Sequence, residues 1–401
     1  MVGFAMFGAL GLFLPIACAQ NCTPLTPSAQ IKIADGYTAQ VIMNGLKYPR
    51  GLLFDTAGNL LIDGDTCVAP SKQLIPDASL NHGIALCQDG KTIFVSSMAE
   101  VHAYSYDAEA GTVGTKKILI QGMRSGGHTT RTLLVPTGAP DVLIVSQGSD
   151  GNIDNATTDI TAERSTIKIF DISEVLASEN ATDYASDGEV LGWGLRNFVG
   201  VGEDPSTGGI WSVENSAEEI HRSNVDLHND NSAEEMNYHG YPAWFSAWGT
   251  VDIPSNAGII IGSQFGGMAG TSFKQVTSGS PVEEVDEFCR TERQGLRLVF
   301  PAHTAPPDIK LEEDGSAAYI AFHGSWDRSP PDGFRLGKVK FADGQPVANV
   351  SDTAAVEYVL ENQDTTKCPG ACFRPTGLVF DKKGRLFMTR DQSGELFVLA
   401  I

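Results

Sequence analysis

One phrase recurs along this 401-residue chain: an apolar run, a turn holding Asp or Gly, then a second apolar run. It appears as "RGLLFDTAGNLLI" from Arg50, "HGIALCQDGKTIFVSS" from His82, "RTLLVPTGAPDVLIVSQG" from Arg131 and "RNFVGVGEDPSTGGIWSVEN" from Arg196. It returns as "PDIKLEEDGSAAYIAFHG" from Pro307 and "RPTGLVFDKKGRLFMTRD" from Arg374. Each copy reads as a β-hairpin, two short strands around a tight turn. Further strands follow some copies, such as "STIKIFDI" from Ser165 and "FRLGKVKF" from Phe334, whereas helical periodicity is scarce and "ISEVLAS" from Ile172 makes one or two turns at most. Six hairpins, each with room for two more strands, predict an all-β fold: a six-bladed β-propeller of four-stranded antiparallel blades with long loops on one face. A sandwich would also give many strands, but not repeated copies of one phrase. The long interval between the fourth and fifth copies must hold insertions, with Tyr238, His239, Tyr241, Trp244, Trp248 and the Gly-rich "SQFGGMAGTSF" from Ser263. No linker divides the chain, so residues 20–401 read as a single propeller domain.

The chain begins "MVGFAMFGALGLFLPIACAQNC", an apolar run ending in the A-x-A pattern Ala17-Cys18-Ala19. Residues 1–19 read as a signal peptide, too short for a membrane span, which implies secretion. Cleavage there leaves six cysteines, Cys22, Cys67, Cys87, Cys289, Cys368 and Cys372, enough for three disulfides. "CPGAC" could close on itself, and Cys67 with Cys87 could clip neighbouring strands. Sequons at Asn21, Asn155, Asn180 and Asn349 suit a glycoprotein. A net charge of −21 argues against nucleic acid and anionic membrane surfaces as partners.

Against that acidic background, His and Arg recur in Gly-flanked turns such as "SGGHTTRTLL" and "HGSWDRSPPDGF". They cluster where the hairpins start or end: Arg50; Asn81 and His82; His128 and Arg131; Arg196 and Asn197; His303; His323 and Arg328; Arg374. Equivalent blade ends converge on one face of a propeller, so residues far apart in sequence can line one pocket. Arg forks match carboxylates in a bidentate way, so the pocket suits a ligand with several carboxylates or phosphates. No Gly-rich phosphate loop opens a helix, which disfavours nucleotides.

The motifs "GGHTTRTLLV", "GLRN", "HGSWDRS" and "FRPTGLVFDKKGRLF", in that order, resemble the soluble pyrroloquinoline quinone (PQQ) sugar dehydrogenases. That group includes the soluble glucose and sorbosone-type enzymes. The resemblance is nearest to the secreted fungal pyranose dehydrogenase domain and runs from about Ile31 to Ile401. It implies PQQ flat over the central pore with Ca²⁺ beside it, sugar as substrate, and an external electron acceptor such as a haem b cytochrome. His128 matches the family's base, which removes the sugar hydroxyl proton. Arg196 would hold the quinone oxygens and Asn197 a neighbouring oxygen. Arg328 and Arg374 match positions near the cofactor carboxylates, with Arg131 in the same set and Arg50 and His82 placed by the fungal pattern. His303 and Trp326 would contact cofactor or sugar, although Trp326 suits a wedge between blades equally well. Asp327 and Cys372 stand where the glucose dehydrogenases have Lys and Arg, so Arg50 or His82 must compensate, or the cofactor binds differently.

Calcium prefers carboxylate, amide and carbonyl oxygens, and "WSVENSAEE" and "LHNDNSAEEMN" offer Glu214, Asn215, Asp230, Asn231, Glu234 and Glu235. Two other functions fit a propeller: a Ca²⁺-dependent lactonase, which the Arg- and His-rich blade ends argue against, and a non-enzymatic glycan-binding module using exposed Tyr and Trp of the long interval.

Overall fold

All six hairpins form. The computed structural model describes residues 25–64, 71–124, 126–237, 240–242, 244–269, 286 and 295–400. The expected signal peptide, Asn21, Cys22, Cys67, Cys289, Tyr238 and His239 lie outside the described residues.

Five of the hairpins grow into sheets of four or more strands. In chain order these blades comprise Leu80–Leu86, Thr92–Ser97, Val101–Asp107 and Lys117–Gln121; then Leu133–Leu134, Val142–Gln147, Thr166–Asp171 and Glu189–Trp193; then Asn197–Glu203, Ile210–Asn215, Glu234–Met236 and Leu298–Phe300. The fourth holds Asp308–Leu311, Ala317–Phe322, Arg335–Ala342 and Val356–Asn362, and the fifth Leu378–Phe380, Leu386–Arg390, Glu395–Ala400 and Thr38–Met43. The first hairpin, Leu52–Phe54 with Leu60–Ile62, stays two-stranded among the described residues. Among the described residues the propeller-like fold therefore has five blades rather than the six expected. The phrase after Arg50 supplies a hairpin, but no outer strand pairs with it among the described residues, and Thr38–Met43 pairs with Glu395–Ala400. This joins the two ends of the described chain in one blade and covers an edge of open backbone groups.

The innermost strands of the five blades and of the lone hairpin pack side by side into a closed ring. Glycine permits this. A Cβ on Gly83 would lie 2.2 Å from the Arg131 carbonyl oxygen, and one on Gly377 2.1 Å from that of Arg50. Glycines therefore flank the His and Arg residues at these strand starts, because the next blade's backbone occupies the space of a side chain.

The core lies between blades. Phe94, Leu119, Val145 and Phe170 join the first two, and Val213, Phe300, Ile320 and Phe322 the third and fourth. Ala317–Phe322 is buried at every residue, as expected of a strand covered on both faces. Phe300 meets Phe322 edge to face at 5.3 Å between centroids, a pairing worth about 0.5–1.5 kcal/mol beyond its area. Beside the lone hairpin a cavity of about 370 Å³ remains, lined by Leu60, Ile62, Leu74, Ile84 and Val95. The helix expected at Ile172 spans Ile172–Ala177, where the Asp171 carboxylate caps Glu174 N–H at 2.9 Å.

The long interval folds as expected into an insertion, with small sheets of its own. It packs against the loop before the third blade's third strand, with Ala233 N–H donating to Ser246 O at 2.9 Å and Trp248 N–H to Asn231 Oδ1 at 3.0 Å. Its aromatics are not a display: Tyr241 and Trp244 are buried and Trp248 is partly buried. Among the described residues this leaves no exposed Tyr or Trp of the interval for the glycan-binding alternative. No helix of the described residues is long and apolar enough to cross a membrane. Cys368 and Cys372 form a disulfide and Cys87 is a free thiol, whose pKa burial pushes up to about 11; Cys67, its expected partner, lies outside the described residues.

Candidate active site

Strand direction decides what meets what. Each innermost strand begins on the same face of the ring, and its antiparallel partner ends there. Residues just before first strands and just after second strands therefore share that face. Arg50, Arg131, Arg196 and Arg374 are of the first kind. Ser149, Ser216, Glu218, His323 and Asp391 are of the second. The sequence reading tracked the first kind closely and largely missed the second.

Two neighbourhoods result. In one, His128 lies beside Arg196: a Cβ on Gly148 would touch His128 Cβ at 2.9 Å and Arg196 O at 3.0 Å, with Asn197 Oδ1 at 3.6 Å. His128 Nδ1 is 3.1 Å from Ser149 O and 2.9 Å from Ser149 Oγ. A carbonyl only accepts, so Nδ1 carries the proton and Nε2 keeps its lone pair. Burial, then the Arg196 charge, lower the His128 pKa to about 3, leaving a neutral ring at neutral pH. Arg196 is 3% exposed and held on several sides: Nε donates to Asn152 O at 3.0 Å, Nη1 to Asn215 O and Ser216 O at 3.0 and 2.7 Å, and Nη2 to Asn152 Oδ1 at 2.9 Å. Tyr241 secures that loop, its hydroxyl accepting from Asp154 N–H at 2.6 Å and lying 3.2 Å from Asn152 O. Above it, Trp326 is 67% exposed and its indole N–H donates to Glu218 Oε1 at 3.1 Å, while Glu218 Oε2 lies 3.8 Å from Arg196 Nη2.

The other neighbourhood gathers four of the recurring cations and imidazoles on one carboxylate. Asp391 lies 2.9 Å from His323 Nε2 and 3.2 Å from Arg50 Nη1. Arg50 Nε donates to His82 Nδ1 at 3.3 Å, and Arg374 Nη2 to His323 Nδ1 at 2.9 Å. Hydrogen bonding to His323 and the charges of His323 and Arg50 outweigh the burial that would raise it, holding the Asp391 pKa at about 2. Burial lowers both imidazoles, that of His82 well below the ordinary histidine range. Arg50 thus bonds the carboxylate directly and Arg374 reaches it only through His323, and the buried Nε of Arg374 has no hydrogen-bond partner among the described residues.

Other expected residues sit differently. The Arg131 guanidinium is taken up by the carbonyls of Arg124, His128 and Thr130, which ties down the His128 loop; its ligand is backbone, not an anion. His303 bonds the carbonyls of His228 and Asn231 through Nε2 and faces Asp327 at 3.3 Å through Nδ1. Arg328 donates to Ala302 O at 3.0 Å and lies 3.6 Å from Asp230. Cys372, where the glucose dehydrogenases have Arg, is in the disulfide.

The calcium candidates do not form one cage. No group of three or more His, Cys, Asp or Glu side chains among the described residues is arranged to hold a metal. Glu214 accepts from Arg196 N–H at 2.5 Å, and Glu234 accepts from Ser216 N–H and Ala305 N–H at 2.7 and 3.0 Å. These carboxylates tie backbone strands together. Asn215 donates to Asn197 O, Asn231 pairs with Gly249 O and Trp248 N–H, and Asp230 is half exposed beside Arg328. Burial raises the pKa of Glu214 and of Glu234 to about 8, and raises that of Glu235 well above the ordinary range with Glu214 adding to it. Glu214 Oε2 and both oxygens of Glu235 are buried without a hydrogen-bond partner among the described residues, and no step is assigned to a metal.

Residues 31–401 match the TrAA12-like family model. A PQQ-dependent sugar dehydrogenase of Hypocrea jecorina (strain QM6a) is 38% identical over 98% of this chain and 95% of its own length. The PQQ-dependent pyranose dehydrogenase of Coprinopsis cinerea is 32% identical over 93% of this chain, which spans 55% of that protein. Among solved structures, the calcium structure of the Trichoderma reesei carbohydrate-active enzyme of family AA12 superposes with a TM-score of 0.87 at 38% identity, covering 94% of this chain and 99% of that one. The holo form of the Coprinopsis cinerea pyranose dehydrogenase PQQ domain gives 0.84 at 31% identity, covering 94% and 98%. The chain belongs to the TrAA12-like family.

Proposed function

We propose that this protein is a secreted, PQQ-dependent dehydrogenase that oxidises a pyranose or related sugar and passes the electrons to an external acceptor such as a cytochrome. The observation that carries this reading is His128, held as the Nδ1–H tautomer by Ser149 with its Nε2 lone pair unprotonated beside Arg196. Names of the relatives and the PQQ domain structure support the cofactor. The residues present fit a planar polycarboxylate: Arg50 and Arg374 share one carboxylate, Arg50 directly and Arg374 only through His323, and the buried Nε of Arg374 has no hydrogen-bond partner among the described residues.

When bound, PQQ supplies the hydride acceptor. The chain's own residues do the rest. His128 Nε2 takes the hydroxyl proton of the sugar as its carbon gives up hydride. Burial and Arg196 make His128 a weak base in the free protein, and anionic charge placed near Arg196 raises its basicity. Arg196, fixed by Asn152, Asn215 and Ser216, presents a positive charge that needs no reorganisation as negative charge develops. Asn197 lies beside it, and Arg50, His82 and Arg374 would hold the cofactor carboxylates. The exposed Trp326 ring, pinned by Glu218, offers an apolar face to the sugar. Export is supported by the leader-like Ala17-Cys18-Ala19 run and by the Cys368–Cys372 disulfide. We read residues 20–401 as one catalytic unit.

The test is titration of PQQ into the purified, metal-free chain, with and without Ca²⁺, followed by dye reduction against a sugar panel. Saturable binding with sugar-dependent reduction that His128→Ala abolishes is the expected result. Failure to bind PQQ under both conditions overturns the reading.

A further inference from the structure

We propose that Asp391 is the positioning residue of the anion pocket: its carboxylate fixes the tautomer of His323 and, through it and directly, the orientation of the Arg374 and Arg50 guanidiniums. The proposal deepens the PQQ reading and rests on it for the identity of the anion. The argument is one of hydrogen-bond polarity. A guanidinium nitrogen only donates, so His323 Nδ1, 2.9 Å from Arg374 Nη2, must be an acceptor. The His323 proton is then on Nε2, which lies 2.9 and 3.1 Å from the two oxygens of Asp391. The same logic makes His82 Nδ1 the acceptor of Arg50 Nε at 3.3 Å. Asp391 is itself anchored: Oδ1 also accepts from Gln392 N–H at 2.7 Å, and Oδ2 receives Arg50 Nη1 at 3.2 Å. Its side chain is 13% exposed, so solvent does not replace these partners freely.

Without Asp391, His323 would be free to place its proton on Nδ1, and a protonated Nδ1 repels the Arg374 fork. Arg374 is otherwise steadied by the Phe334 ring, 5.6 Å away, which sets a plane but no direction for its N–H groups. A simpler role for Asp391 is charge compensation, and the two roles give opposite signs. If Asp391 only neutralises the two arginines, Asp391→Asn leaves a more positive pocket and binds a polycarboxylate more tightly. If it positions them, the variant binds more weakly despite the gained charge.

The experiment measures PQQ affinity by fluorescence titration for the wild type, Asp391→Asn, His323→Gln and the double variant, with melting curves to confirm folding. In parallel, ¹⁵N-histidine NMR reads the His323 tautomer in protein free of cofactor. The expected results are an Asp391→Asn affinity lower by about tenfold or more, a double variant no worse than the poorer single one, and a His323 tautomer that becomes mixed in Asp391→Asn. Equal or tighter binding by Asp391→Asn, additive losses, or an unchanged tautomer each overturn the proposal. Should Asp391→Asn fail to fold, His323→Gln binding as tightly as the wild type does so instead. The NMR arm needs no cofactor, so a wild type that ignores PQQ sinks the functional reading alone, and the tautomer still decides the role of Asp391.

Discussion

At the scale of single residues, the sequence located side chains but not their partners. His128, Arg196 and Asn197 do come together, and Ser149, Asn152 and Glu218 complete their surroundings. Ser149 and Asp391 were readable in principle, since both follow second strands on the site face, but a Ser in "SQGS" or an Asp in "TRDQ" gives no chemical signal by itself. Arg131 shows the converse: its place in "GGHTTR" looks like a ligand position, and only the structure shows its fork taken by loop carbonyls. Because burial and Arg196 hold the His128 pKa at about 3, its imidazole signals in the free protein should not titrate between about pH 4 and 8, which NMR can follow. PQQ loading should bring a titration into that window. Replacing His128 by Ala should lower sugar-dependent reduction by ~10²–10⁴-fold while leaving PQQ affinity within a few-fold, the loss expected for a general base. Comparable loss of binding would mean that His128 holds the cofactor rather than the proton.

At the scale of elements, the hairpins were legible because alternation and Gly-containing turns are local properties. Which hairpins add outer strands was not, since sheet growth is set by chain routing: Thr38–Met43 precedes the first hairpin yet pairs with the last blade. The ring's tight centre makes a sharp prediction. Gly83→Ala places a methyl on the Arg131 carbonyl, 2.2 Å away, and should cost about 1–3 kcal/mol in denaturant melts, whereas Gly36→Ala, with nothing within 4 Å, tests the cost of its positive φ alone. The lone hairpin, Leu52–Phe54 and Leu60–Ile62, has fewer sheet partners and a cavity of about 370 Å³ at its side. Its amides should therefore exchange with deuterium before those of Ala317–Phe322, which is buried throughout. The reverse order would show the hairpin to be as well held as a full blade.

At the scale of the whole molecule, buried carboxylates set the response to pH. Glu214 and Glu234 titrate near 8 when folded but near ~4.3 when unfolded, so the folded state binds more protons across that interval. Their contribution to stability is complete below the unfolded value and is lost as pH rises toward 8. The denaturation midpoint should thus fall between about pH 5 and 8, by up to ~1.4 kcal/mol per pH unit for each such group. Glu214→Gln keeps an oxygen for Arg196 N–H while removing one titration, and should flatten the curve. A slope unchanged by that substitution would mean that Glu214 is already ionised in the native protein. On the acid side the sign reverses at Asp391, whose depressed value of about 2 adds stability that fades as pH falls toward it.

The sequence by itself determined the strand-rich class, the six hairpins and the recurrence of His and Arg at their starts, because each is written in a dozen neighbouring residues. Only the tertiary structure decided the rest. It showed, among the described residues, five blades with a lone hairpin, and the backbone N–H groups that Glu214 and Glu234 accept from. It also showed the Arg50–Asp391–His323–Arg374 network, which joins residues up to 341 positions apart. The physical reason is range: periodicity and turn chemistry act along the chain, whereas burial, pKa and hydrogen-bond polarity depend on what another blade brings alongside.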